Sequence, residues 1–302
     1  MVDKPRGPTS HDVVMRLRRA LGTREIGHAG TLDPMATGVL VLAVGEATKL
    51  VPWLAGQNKA YRATVALGIA TDTLDAEGHE TERAPLDVPL LRELDPATEW
   101  AACPKIGLAL EQERVRTSQI PPAYSAIKKD GMRSYERARK GDSVELAPRD
   151  VRVRRIEVEG RSRDPARLEL VLDVSKGYYV RSLARDLARA LGTVGHLTAL
   201  RRTHSGCFSL EDAAPLDAPR DALLTRLSTL PDVAARVFPV VRMTHAGAED
   251  ARHGRPVRLE DAPGATDEPS AWLDPAGRLV AIGAITPAGA RVLRGFRPAL
   301  GA

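Results

Sequence analysis

Between residues 10 and 21 the apolar positions Val13, Val14, Leu17 and Leu21 recur at helical spacing, with Ser10 placed as a cap and Gly22 as a stop. Arg16, Arg18, Arg19 and Arg24 surround this helix and its exit, which makes its outer face basic. Val39 to Val44 is an unbroken apolar run, the pattern of a buried strand, and a short helix is predicted over 46–54. Tyr61, Ala63, Val65 and Leu67 then alternate with less apolar neighbours, as do Leu168, Leu170, Leu172 and Val174, so both segments read as half-buried strands. Val151, Val153, Ile156 and Val158 open a strand whose alternation slips at Arg154-Arg155, which predicts a bulge. After Gly177 the stripe Val180, Leu183, Ala184, Leu187 and Leu191 predicts a helix that Gly192 ends.

Other stretches are marked by their breakers. Thr71 to Gly78 is a polar connection, and between 79 and 118 only a helical turn at Leu90, Leu91 and Leu94 stands out, punctuated by Pro96 and Pro104. Pro121-Pro122 sends 123–129 out of the sheet or onto its edge, and 133–140 is predicted to be a short helix closed by Gly141. Past Ala213, Pro215, Pro219 and Pro231 mark a linker around one helical segment, 222–227. The tail reads as short strands at 238–241, 256–259, 271–273, 279–285 and 290–296, with Asp274-Pro275-Ala276-Gly277 as a hairpin turn.

One loop concentrates candidate chemistry. Gly27 to Leu40 (GHAGTLDPMATGVL) sets a single acid, Asp33, among turn-formers at the mouth of a strand, and Pro34 holds Asp33 out of the helical region. By spacing alone an ordinary Asp-Pro turn is the favoured reading.

The 302 residues carry a net charge of +5 and are 43% hydrophobic but only 4% aromatic, so aliphatic side chains must fill the core. The length suits two domains. Between Lys128 and Arg155 ten Lys or Arg face five Asp or Glu, a pattern of either a solvated face or a contact with a polyanion. Cys103 and Cys207 stand apart without a CxxC spacing, which argues against a disulfide framework or a structural zinc site. No apolar run approaches a membrane span and no signal-peptide pattern opens the chain, so a soluble cytoplasmic protein is expected. There is no Gly-rich dinucleotide fingerprint and no Walker loop.

The Asp33 block resembles the signature of the TruB family of tRNA pseudouridine synthases. Five further blocks resemble the same family in the same order: DKPRGPTSHDVV at 3–14, KAYRATVALGIATDTLDAEG at 59–78, PPAYSAIKKDGMRSYERARKG at 121–141, SKGYYVRSLARDLARALG at 175–192 and HLTALRRTHSGCFSLEDA at 196–213. In the family an apolar strand usually precedes the first of these; it is absent here, so either it is trimmed or the start lies upstream.

The resemblance implies an α+β pseudouridine synthase fold: a mixed, mostly antiparallel sheet flanked by helices over 1–235, an RNA-clamping insertion at about 119–146, and a small β-rich, PUA-like domain over 236–302. It implies isomerisation of uridine-55 in the T-loop of tRNA by a monomer that needs no protein partner, cofactor or metal. Asp33 would be nucleophile or base, Arg181 its partner and Tyr61 the platform for the extruded uracil. His28 would wedge into the T-loop, and Tyr179 and Leu200 would line the nucleotide pocket. Lys59, Arg201 and Arg202 would meet phosphates, and Lys128 and Arg133 would bind RNA from the insertion. Two other readings stay open. One is an RNA-folding chaperone acting by binding alone. The other is a guide-RNA-dependent synthase, against which the insertion argues.

Overall fold

A computed structural model describes residues 1–125, 128–129, 132–133, 146–287 and 289–297. Its centre is a nine-stranded mixed sheet. The strands that matter here are β1 (Val2–Lys4), β2 (Ile26–Ala29), β3 (Thr37–Val44), β4 (Lys59–Leu67), β5 (Val153–Arg163), β6 (Ala166–Val174), β7 (Gly195–Ser205) and β8 (Ala214–Pro215). They run in the order β5-β6-β4-β7-β3-β1-β8, and β2 pairs with β3 off this path. Pairing is antiparallel except between β7 and β3 and between β1 and β8. The slip at Arg154-Arg155 is a bulge against β6.

The alternation of β4 and β6 turns Ala63, Val65, Leu168, Leu170 and Leu172 into one core. Helices α1 (Ser10–Leu21), α3 (Pro104–Arg114) and α4 (Val180–Ala190) supply the other side of it through Val13, Leu17, Ile106, Leu110, Leu183 and Leu187. Around β3 the packing is different. Val39 and Val41 meet Leu50 and Leu54, which lie in a 3₁₀ turn (Gly45–Leu50) and α2 (Val51–Ala55), where a single helix was expected.

The same apolar cluster takes in Ala234 and Phe238, at α5 (Leu230–Val237), and Ala271, Leu273, Leu279 and Ile282 from the tail. The tail is a four-stranded sheet of β9 (Val240–Arg242), β10 (Ser270–Leu273), β11 (Leu279–Thr286) and β12 (Gly289–Gly295). Its central strands are apolar on both faces because α5 and the main sheet cover one side, while α6 (His245–Arg252) packs on the other through Ala248 and Ala251. The hairpin turn at Asp274 closes as expected, with the Gly277 amide donating to the Asp274 carbonyl at 2.9 Å.

Several expectations need correction. Thr9, not Ser10, caps α1: its hydroxyl accepts from the Asp12 amide and Asp12 returns the bond. A short strand, Val2–Lys4, opens the chain, where the strand before the first family block was expected to be absent. Pro104 and Pro231, expected as breakers, each stand in the first turn of a helix, where a missing amide is harmless. Residues 256–259 hold only an isolated bridge at Val257 and the start of a 3₁₀ turn. The helix expected at 133–140 falls almost entirely outside the described residues; Lys128–Lys129 and Met132–Arg133 pair as a short antiparallel ladder.

Gly38 joins the fold to the loop before it. It has φ +103°, and a Cβ there would stand 2.2 Å from the Arg202 carbonyl oxygen on β7. Gly38→Ala is therefore expected to cost more than about 3 kcal/mol. Thermal unfolding should show it as a fall in Tm of roughly 6–12 °C.

Candidate active site

The loop between β2 and β3 is tied down from three distant segments. Ser10, released from capping, donates to the Leu32 carbonyl at 3.0 Å and accepts from the Leu32 amide at 2.8 Å. Lys4 is fully buried and donates to the carbonyls of Ala36 at 2.7 Å, Pro5 at 3.0 Å and Pro34 at 3.2 Å. Burial lowers its ammonium pKa to about 8, although Asp33 and Glu77 pull the other way. Arg202 is 1% exposed and spends its guanidinium on the carbonyls of Val39, Gly30 and Thr31. It braces the loop rather than reaching a phosphate. Gly30, at φ +92°, turns the chain where these bonds converge.

Across the cleft, α4 starts at Val180 behind an extended Tyr179. The side chain of buried Gln119 brackets Tyr179, accepting from its amide at 2.8 Å and donating to its carbonyl at 3.1 Å. This fixes the first turn of α4 and aims Arg181 inward. Its Nε lies 2.9 Å from Asp33 Oδ2, its Nη1 donates to the Thr73 carbonyl at 3.0 Å and faces Asp75 Oδ2 at 3.5 Å, and its Nη2 donates to the Tyr124 carbonyl at 2.8 Å. Arg185 and Arg189, on the same helix, turn progressively outward.

Asp33 thus has a cation against it, but the balance is not the simple one expected from pairing. Burial raises its pKa, Arg181 opposes that rise, and Asp75 reinforces it. Burial prevails, because Arg181 is shared between two carboxylates. The carboxylate lies at the floor of a depression, enclosed by protein yet with 35% of its side chain open to water from one side.

That opening is a cleft of about 280 Å³ lined by Asp33, Lys59, Tyr61, Tyr179, Arg181 and Leu200 among others. It lies near the lower end of the range for small-molecule sites, about 300–1,000 Å³, and suits one flat ring. Tyr61 is nearly buried on β4, opposite Leu172 and Arg202. Burial raises the Tyr179 phenol pKa. Tyr178 points instead to Glu113, with its hydroxyl 2.6 Å from Oε1. The Lys59 ammonium turns to the Ala55 and Gln57 carbonyls and is lowered to about 8 by burial.

His28 is not in the loop. It lies on β2 opposite Leu42, half-buried, outside the residues that line the cleft, and burial lowers its pKa. Arg201 forms a two-pronged bond with Asp3. Lys128 and Arg133 are described only as backbone. Sequence reasoning had not singled out Asp75, Lys4 or Tyr124. Among the described residues no group of three or more His, Cys, Asp or Glu could hold a metal.

The arrangement offers one carboxylate, electrostatically balanced, beneath a slot with aromatic and aliphatic walls. Its fold is shared by a crystal structure of a Cbf5-Nop10-Gar1 complex, at a TM-score of 0.71 over 98% of this chain and 84% of that chain, with 24% identity. A structure of an H/ACA RNP bound to a substrate RNA containing 2′-deoxyuridine matches at 0.69 over 98% of this chain and 84% of that one, with 22% identity. These two likenesses establish the fold.

A family model described as TruB family pseudouridylate synthase (N terminal domain) matches residues 18–180, and one described as tRNA pseudouridylate synthase B C-terminal domain matches 181–235. A Mycobacterium sp. (strain KMS) protein named tRNA pseudouridine synthase B is 46% identical over 93% of this chain and 90% of its own. A protein of the same name from Corynebacterium aurimucosum is 44% identical over 96% of this chain and 88% of its own. The chain belongs to the TruB family of pseudouridylate synthases, which are isomerases.

Proposed function

We propose that this protein isomerises uridine to pseudouridine in tRNA, at position 55 of the T-loop. The observation that carries the reading is the 2.9 Å pair between Arg181 and Asp33 at the floor of a one-ring cleft. In the reaction the C1′–N1 bond breaks, the uracil turns, and a C1′–C5 bond forms. The proton leaves C5 and N1 ends protonated. No electron is gained or lost, so redox chemistry is not called on. Asp33 starts the sequence either by attacking C1′ or by removing the 2′ proton.

The remaining roles are those that the family resemblance implies. Tyr61 stacks on the extruded base, as bases flipped from RNA generally need an aromatic or apolar wall. Leu200 and Tyr179 close the slot, and Lys59 flanks it. His28 supports the opened T-loop from β2, while Lys128 and Arg133 grip the T-arm from the 119–146 insertion. The main sheet with its helices, 1–235, forms the catalytic domain, and 236–302 is a PUA-like unit. The enzyme works as a cytoplasmic monomer without guide RNA or protein partner, and reads its target by shape and stacking.

Incubation of a tRNA transcript with the purified protein, followed by mapping of modified bases, should show pseudouridine at position 55 with or without EDTA. Modification at another site, or loss of activity on metal removal with the fold intact, would overturn the reading.

A further inference from the structure

Ser125 is 4% exposed and lines the cleft, and among the described residues its hydroxyl makes no well-formed hydrogen bond, the Tyr179 phenol lying beside it without the geometry of one. A buried hydroxyl without a partner is costly, so native proteins keep few of them, and mostly where something else binds. Its place relative to Asp33 is set by Arg181. The Nε and Nη2 groups occupy one edge of the guanidinium fork, and they bind Asp33 Oδ2 and the Tyr124 carbonyl. Those two acceptors are therefore neighbours, and Ser125 follows Tyr124 at one Cα–Cα step, about 3.8 Å. By either chemical route Asp33 addresses the sugar, whereas Tyr61 and Leu200 hold the base from the sheet side.

We propose that Ser125 Oγ is a substrate contact, hydrogen-bonded to the ribose 2′-hydroxyl of the extruded uridine. This rests on Asp33 being the group that faces the sugar. A neutral hydrogen bond of this kind corresponds to roughly a 3- to 10-fold effect. In an Asp33→Asn background, which prevents turnover, Ser125→Ala should weaken binding of a T-arm stem-loop RNA by that factor. It should not weaken binding of the same RNA with 2′-deoxyuridine at the target position. The melting temperature should be unchanged or higher, since among the described residues the hydroxyl makes no well-formed hydrogen bond that its removal would break. Equal weakening on both RNAs, no weakening on either, or a marked fall in melting temperature would overturn the proposal. If Asp33→Asn itself turns over uridine RNA, the assignment of Asp33 fails, and the affinity pattern still decides the case of Ser125.

Discussion

Asp33→Asn should abolish pseudouridine formation while leaving the protein as stable as before, or slightly more so. The activity loss is expected at roughly the 10⁶-fold scale seen when a covalent nucleophile is removed. An amide can neither attack C1′ nor take the 2′ proton. The stability result follows from the sign of the pKa shift. Asp33 is raised above its ordinary 3.8, with burial as the largest cause, so the folded protein binds the proton more tightly than the unfolded chain does. Stability then falls as pH rises from 3.8 to the folded value, and the full cost is present above it. Asparagine keeps the shape and removes that cost. Because a third of the side chain meets water, the gain in Tm should be small. Calorimetry beside a turnover assay separates the two halves. A variant that is inactive only because it unfolds would refute the claim.

The same shift sets the acid limb of the wild-type profile. kcat/KM should begin to fall at a pH clearly above 3.8, as the carboxylate takes up its proton. Activity that persists unchanged down to about pH 4 would mean that Asp33 is not the titrating group.

What was legible in the sequence was whatever repeats locally. The alternation of β4, the stripe of α4 and the glycines around Asp33 each record a local backbone rule, and those elements stand where they were read. The blocks that resemble the family carried Asp33, Tyr61, Tyr179, Arg181 and Leu200, and the chain gathers all five around one cleft. What was not legible depends on partners far along the chain. Thr9 and Ser10 are equally good caps on paper. Only the depth of the Leu32 backbone decides that Ser10 is spent on the loop. Lys4 looks like a surface lysine until the carbonyls of Pro34 and Ala36 converge on it. The strand that carries His28 was hidden by the glycine beside it, since β2 exists by pairing with Val41–Val44 and not by its own propensity. Asp75 was lost in a polar stretch; Leu74, at φ +61°, is the local sign that this connection is a held turn.

Replacement of Arg181 should separate two roles that one side chain combines. Arg181→Met leaves Asp33 and Asp75 without their shared cation, and Asp75 is at least as buried as the arginine itself. Breaking such a pair from one side costs about 3–5 kcal/mol, a fall in Tm on the order of 10 °C. Adding Asp75→Asn removes the stranded charge and should recover most of that stability, but none of the activity, because Asp33 still lacks its counter-ion. Arg181→Lys is the sharper variant. It keeps a positive charge, yet one ammonium cannot satisfy Asp33, Asp75, Thr73 and Tyr124 at once, since the guanidinium reaches them from both edges of a rigid fork. Turnover should fall by about 10²- to 10³-fold, the scale of losing one preorganised electrostatic partner. Weaker opposition to burial should also raise the Asp33 pKa further, moving the acid limb of kcat/KM to higher pH. A lysine variant with reduced turnover and an unmoved acid limb would show that Arg181 serves the architecture of the cleft and not the ionisation of Asp33.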